Sequence, residues 1–170
     1  MKARILCAAV LIAACGGPSA ERPLDVTVGV SRDELIRELR SFEYCQHDQA
    51  VHESETFPRC EVTGVEFGQS WVVAHYDEGG RVTKVQRWER YPEDQRGVER
   101  FNALVEQRTK ANGPSTEEAK KLIVARQELP AGTRTWVAFR RGETTLVGVY
   151  LLQPSAPENA TVLEEIIDAR

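Results

Sequence analysis

The sequence predicts an α+β fold: an antiparallel sheet with helices packed on one face. Three observations carry this. Two helix starts, Ser31-Arg32-Asp33-Glu34 and Ser115-Thr116-Glu117-Glu118, have the capping-box form, and each leads into apolar residues at helical spacing. Short β-branched and aromatic runs joined by Gly-bearing turns lie between and after them. Strands and helices come in separate runs rather than in alternation, as in folds that segregate helices from an antiparallel sheet. The predicted order is helix, meander, helix, helix, hairpin, helix.

Taken in turn, Asp25 to Val30 reads as a short strand. Leu35, Ile36, Leu39 and Phe42 then give a first helix over 31–43 with one apolar face. A polar loop, Gln46 to Arg59, separates Cys45 from Cys60. Glu61 to Phe67, Ser70 to Tyr76 and Arg81 to Tyr91 form the predicted meander, with Asp77-Glu78-Gly79-Gly80 as a turn. Pro92-Glu93-Asp94 opens a second helix, with Val98, Phe101, Leu104 and Val105 on its buried face, and Gly113-Pro114 stops it. A third helix runs to about Leu129. Thr133 to Arg140 and Thr144 to Leu152 form a hairpin about Arg141-Gly142-Glu143. After a Pro-bearing loop, Thr161 to Ala169 reads as a terminal helix.

The first residues read as an export signal. Lys2 and Arg4 precede an apolar run from Ile5 to Ala14, too short for a bilayer core that needs about 20 residues. The run ends in Leu11-Ile12-Ala13-Ala14-Cys15, which resembles the lipobox of bacterial lipoproteins. The resemblance implies cleavage before Cys15 and a diacylglycerol on its sulfur. Plain secretion with cleavage after Ala20 is the alternative, and it places Pro18 where a small residue is wanted. The expected organisation is a signal peptide over 1–14, a lipidated cysteine and flexible tether over 15–24, and one domain over 25–170. Two or three acyl chains anchor durably where one does not. Gly16, rather than Asp, follows the cysteine, which tilts the expected address to the outer membrane, facing the periplasm.

A second resemblance lies in the domain. Gly29-Val30-Ser31-Arg32-Asp33-Glu34-Leu35-Ile36, followed by strands joined through Asp77-Glu78-Gly79-Gly80-Arg81-Val82, is similar to the small lipoprotein of the outer-membrane β-barrel assembly machine and its relatives. It spans about residues 29–90. It implies a β-lactamase-inhibitor-protein-like topology and a binding module.

Charge excludes some partners. The chain's 22 basic residues, less Lys2 and Arg4, leave 20 against 26 acidic ones, a formal charge of −6 after cleavage. Such a surface argues against nucleic acid and against adsorption to anionic lipid, so membrane attachment falls to the lipid on Cys15. Cys45 and Cys60, an even pair in an oxidising compartment, read as a disulfide. Over a loop near 15 residues it stabilises by about 3 kcal/mol.

Candidate chemistry is sparse. Cys45, His47, His52 and Cys60 are a zinc set in kind, but the spacing is wrong for a structural site and the thiols should oxidise first. His47 and His52 stay as a low-ranking metal pair. Glu117-Glu118 and Glu164-Glu165 read as solvated helix surface. His75 reads as a sheet histidine. The sequence has no Gly-x-Ser-x-Gly elbow, Ser-x-x-Lys, His-Glu-x-x-His or Gly-rich phosphate loop, so no catalytic residue, enzyme activity or cofactor beyond the covalent lipid is expected. Trp71, Trp88 and Trp136, with Tyr76, Tyr91 and Tyr150, fall on strands and read first as core. The functional alternative is an interaction surface of Trp71, Tyr76, Trp88 and Arg87. The expected function is a membrane-anchored, non-catalytic interaction module with an envelope protein partner. The alternatives are an inhibitor or sensor binding a hydrolase or small ligand, and a metal-binding or enzymatic domain using the His47/His52 loop.

Overall fold

A computed structural model describes residues 22–46, 53–61, 69–153 and 159–170. They form an α+β domain: helices α1 (Arg32–Arg40), α2 (Asp94–Asn112) and α3 (Glu117–Val124), and strands β1 (Ser54–Pro58), β2 (Ser70–Tyr76), β3 (Val82–Tyr91), β4 (Thr133–Arg141), β5 (Thr145–Leu152) and β6 (Ala160–Asp168). The six strands make one antiparallel sheet in the order β1-β2-β3-β6-β5-β4. None of the described helices is long and apolar enough to cross a membrane.

Local signals set the helix starts. Ser31 caps α1 with the reciprocal Glu34 bond of a capping box. At α3 the cap is Thr116, whose hydroxyl accepts from the Ala119 N–H at 3.1 Å. The helix ends at Val124, short of the expected Leu129. α2 stops at Gly113, which takes a positive φ of 81°. In the turn before β3, Asp77 Oδ1 accepts from the Gly79 and Arg81 N–H groups at 2.9 and 2.8 Å.

The expected terminal helix over Thr161–Ala169 is instead β6, a central strand of the sheet between β3 and β5. Alternation holds along it. Ala160, Val162 and Ile166 pack into the main core, Leu163 and Ile167 into clusters on the other face. Glu164 and Glu165 interrupt the apolar run and mimic a solvated helix face, yet their residue exposures are 1% and 0%.

The helices do not share one face. α1 and α2 contribute Leu35, Leu39, Phe101 and Leu104 to the main core with Phe139, Val147 and Ile166. α3 packs Ala119 and Ile123 against Ala138, Leu146 and Ile167, the alternate residues of the same strands. α3 therefore covers the opposite face, over β4 and β5. An antiparallel sheet this apolar on both sides at β5 and β6 needs cover on both.

Two further expectations change. Asp25–Val30 forms no strand of the sheet and meets β3 only at its end, where the Gly29 N–H donates to the Val82 carbonyl at 2.6 Å and the Val82 N–H to the Val30 carbonyl at 2.9 Å, although Leu24, Val26 and Val28 are buried in the main core. Side chains satisfy much of its backbone: the Leu24 N–H donates to Glu164 Oε2 at 2.9 Å, the Thr27 N–H to Glu38 Oε2 at 2.7 Å, and Arg141 Nη2 to the Val26 carbonyl at 2.6 Å. The fold thus takes in Leu24, which was expected in the tether. Within the cysteine loop, Ser54–Pro58 forms strand β1 rather than loop. Its inward residues are Phe57 and a buried glutamate, Glu55, held by Arg32 through two 2.7 Å bonds and by Tyr76 Oη at 3.0 Å. Counting apolar residues misses a strand whose inward face is half ionic. Of the expected strand Glu61–Phe67, residues 62–67 lie outside the described residues.

Cys45 and Cys60 form a disulfide. It closes beside a backbone bridge between Tyr44 and Arg59, with the Cys45 N–H on the Pro58 carbonyl and the Cys60 N–H on the Glu43 carbonyl, both at 2.9 Å. The crosslink fastens edge strand β1 to the chain leaving α1.

Candidate functional site

The sheet face not taken by α1 and α2 carries a transverse row of six side chains, one from each strand. In register they are Pro58, Trp71, Trp88, Leu163, Tyr150 and Trp136. Opposed residues of an antiparallel pair lie close enough to pack. Accordingly Trp71 and Trp88 stack with centroids 6.2 Å apart and planes within 4°, and Trp136 and Tyr150 at 5.5 Å and 7°. The two ends differ. Tyr150 is fully buried, and Lys120 of α3 lies over Trp136 at 5.6 Å. Trp71 and Trp88 are half-buried and floor an open trough of about 770 Å³.

The trough follows β2, whose Trp71, Val73 and His75 line it on one side together with the preceding Gln69, and β3 adds Gln86, Trp88 and Arg90. Leu152 and Ala131 form the wall toward β5 and the α3–β4 connection. Arg90 is exposed and sets its guanidinium over the Trp71 ring, 4.6 Å from the centroid. A smaller recess of about 330 Å³ shares Gln86, Trp88, Ala131 and Leu152 with the trough and extends to Lys84, Glu128 and Glu165.

A polar chain backs the floor. His75 Nε2 lies 3.2 Å from Gln86 Oε1, and Gln86 Nε2 donates to Glu165 Oε1 at 2.8 Å. Gln127 and Tyr150 donate to Glu165 Oε2 at 2.6 and 3.0 Å. Gly148 makes room for this: a Cβ there would sit 2.5 Å from the Tyr150 hydroxyl oxygen. Burial, then the Glu165 charge, pushes the Tyr150 hydroxyl well above the usual phenol range, so it stays a donor. Burial also lowers the His75 imidazole, which favours its neutral form.

A second ionic cluster lies on the opposite face, beneath α2. Glu164 sits between Arg87 Nη2 at 2.6 Å and Arg108 Nε at 2.7 Å. Glu89 takes Arg87 Nε at 3.1 Å and Arg100 Nε at 2.6 Å. The two Arg87 contacts are ion pairs rather than aligned hydrogen bonds. Arg87 and Arg108 also donate to the carbonyls of Arg22 and Leu24, at 2.9 and 2.5 Å. The cluster therefore clamps the chain where it enters the domain.

The chain matches no family model, no curated protein and no solved structure.

Of the expected interaction surface, Trp71 and Trp88 come together in the trough. Arg87 does not join them. It is 1% exposed on the other face, because neighbours on a strand point to opposite sides. Tyr76 follows a register shift at His75/Tyr76, packs against the main core and bonds Glu55. Cys45 and Cys60 are joined, whereas Cys15, His47 and His52 lie outside the described residues. Among the described residues no group of three His, Cys, Asp or Glu side chains is placed to hold a metal ion. Glu117 and Glu118 are exposed, as expected of helix surface. The residues that sequence reasoning missed are Glu165, Gln86 and Gln127. Their only sequence signal was a glutamate inside an apolar run, which was read as helix.

Proposed function

We propose that the protein is a lipid-anchored envelope module that works by non-catalytic contact with a protein partner, through the trough over Trp71 and Trp88. The carrying observation is that stacked pair: two large aromatic rings, half-buried, on the floor of an open groove of about 770 Å³. Aromatic side chains next to a guanidinium are the residues that most often anchor a partner at the centre of an interface. A rigid six-strand sheet holds them with little conformational freedom left to lose on binding. The polar chain behind the floor is bonded internally, with Glu165 engaged by Gln86, Gln127 and Tyr150, so it serves the fold rather than a reaction. The lipobox-like Leu11 to Cys15 supports the anchor, and the outer membrane facing the periplasm is the proposed address.

The test is site-specific photo-crosslinking in cells. A benzoyl-phenylalanine at Val73, in the trough, should give a discrete adduct with one envelope protein. The same probe at exposed Glu106 on α2 should give none. Adducts only from Glu106, or turnover of a substrate by the purified protein, would remove this reading.

A further inference from the structure

The trough combines three properties that together specify an occupant. The first is length. From Gln69, just ahead of β2, to His75 the trough runs six residues, at most about 20 Å at strand rise. Every second side chain of β2 contributes to the floor, which is the spacing at which an extended peptide presents its own alternate side chains. A compact small molecule would leave most of that length in water. The second is apolarity. Trp71, Val73, Trp88 and Leu152 make most of the described lining apolar, Gln86 is already engaged with Glu165, and Gln69, Asn159 and Thr161 add polar atoms at the margins.

The third property is charge. In a chain of formal net charge −4, the trough is lined by Arg90 and the neutral-leaning His75, with no carboxylate among the described residues. Arg90 has no carboxylate partner among the described residues and rests over Trp71. Among the described residues carboxylates occur only at the far end, where the recess reaches Glu128 and Glu165. The end beside Gln69 thus carries the Arg90 guanidinium, whereas the far end holds both signs, with Lys84 Nζ 4.0 Å from Glu165 Oε1.

From these observations we infer that the trough binds an extended segment of about seven residues from a partner protein, with apolar side chains at alternate positions and a carboxylate at the end that meets Arg90. This rests on the proposed role of the trough as the contact surface and adds the chemistry of what it holds. An acidic group seated there gains the guanidinium of Arg90 while its apolar neighbour stacks on Trp71, so charge and apolar contact are read together. A basic residue at the same place meets an unrelieved like charge, which makes the trough selective as well as adhesive.

The test uses the full chain in nanodiscs of unlabelled phosphatidylcholine. The probes are synthetic heptapeptides of alternating Ser and Leu or Phe, with Glu at one terminus or the other, and twins with Lys in place of Glu. Binding is read from tryptophan fluorescence. The better Glu peptide should bind about fivefold or more tighter than its Lys twin, since tenfold corresponds to only about 1.4 kcal/mol. Arg90→Glu should invert the preference, with the protein's circular dichroism unchanged. Trp88→Ala should weaken both peptides alike. Equal binding of the twins, a preference that survives Arg90→Glu, or no binding by folded protein would each overturn the inference. So would two other occupants: the bilayer, seen as quenching of Trp71 and Trp88 by brominated phosphatidylcholine, or a second copy, seen as a dimer that Trp88→Ala dissociates. A discrete in-cell adduct at Val73 with no peptide preference would sink this inference and leave the contact surface standing. Loss of the Val73 adduct would sink the contact surface itself.

Discussion

Glu164 and Glu165 are consecutive residues of β6 and are buried on opposite faces of one sheet. Glu164 pairs with Arg87 and Arg108 beneath α2, and Glu165 accepts from Gln86, Gln127 and Tyr150 behind the trough. One dipeptide thus ties the entering chain to the core on one side and backs the candidate binding floor on the other. Each carboxylate is stabilised by partners far away in sequence, so each should be costly to alter alone.

Replacing Glu164 alone leaves the buried Arg108 guanidinium without a carboxylate and Arg87 with Glu89 alone. Glu164→Leu is expected to cost about 3–5 kcal/mol, the usual penalty for breaking a buried ion pair from one side. Urea unfolding of the variant against the parent measures it. The triple change Arg87→Met, Arg108→Met, Glu164→Leu should lose less than the single one, because no unpaired charge is left. A single variant within 1 kcal/mol of the parent would contradict the arrangement.

On the other face, Tyr150→Phe removes the hydroxyl that donates to Glu165 at 3.0 Å and keeps the ring stacked on Trp136. A lost bond to a buried carboxylate is worth about 1.5–3 kcal/mol. The same unfolding measurement should show that loss, with near-ultraviolet circular dichroism of the tryptophans retained.

The Cys45–Cys60 bridge spans a sequence separation of 15 and holds an edge strand. Reduction, or Cys45→Ser with Cys60→Ser, should lower stability by about 3 kcal/mol. Mass spectrometry without reductant should find the parent two protons lighter than the reduced form. Free thiols in protein purified from the envelope would count against it.

Stability should depend on His75 through mild acid. Burial lowers its imidazole in the folded state. The unfolded chain, with a histidine pKa of about 6.5, then takes up the proton first as pH falls. Since the unfolded state binds more protons in that window, stability is full above the unfolded pKa and declines as pH drops toward the lower, folded pKa. Unfolding curves from pH 7.5 to 5 should show this decline, and His75→Gln should flatten it. An unchanged slope in the variant would mean that His75 carries none of the dependence.

Cys15→Ala should abolish incorporation of labelled palmitate and release the protein from membranes. Labelling that persists in the variant would disprove lipidation at Cys15.

The local elements were legible where short-range chemistry decides. The Ser31 capping box, the Gly113 stop, the Asp77 turn and the Gly142 hairpin appear where sequence spacing put them. The stacked tryptophans were legible as candidates, but not as a pair distinct from Arg87. That distinction needs strand register and the knowledge of which face each helix covers. The terminal helix failed for a related reason. Glutamates at 164 and 165 break an alternating apolar pattern into one that suits a helix, and nothing near them in sequence announces Arg108 or Gln127.

By itself, then, the sequence determined the α+β class, the cap and turn positions and the pairing of Cys45 with Cys60, and it carries the lipobox-like pattern on which the proposed anchor at Cys15 rests. Only the tertiary structure decided that Glu164 and Glu165 are interior, that α3 crosses to the far face, and that Trp71 and Trp88 floor a trough while Tyr150 is fully buried. The reason is physical. Caps, turns and periodicity are governed by interactions within a few residues. Burying a charge is possible only when partners arrive to neutralise or hydrogen-bond it, and tertiary structure can bring them from far along the chain, as it brings Arg108 to Glu164 across 56 residues.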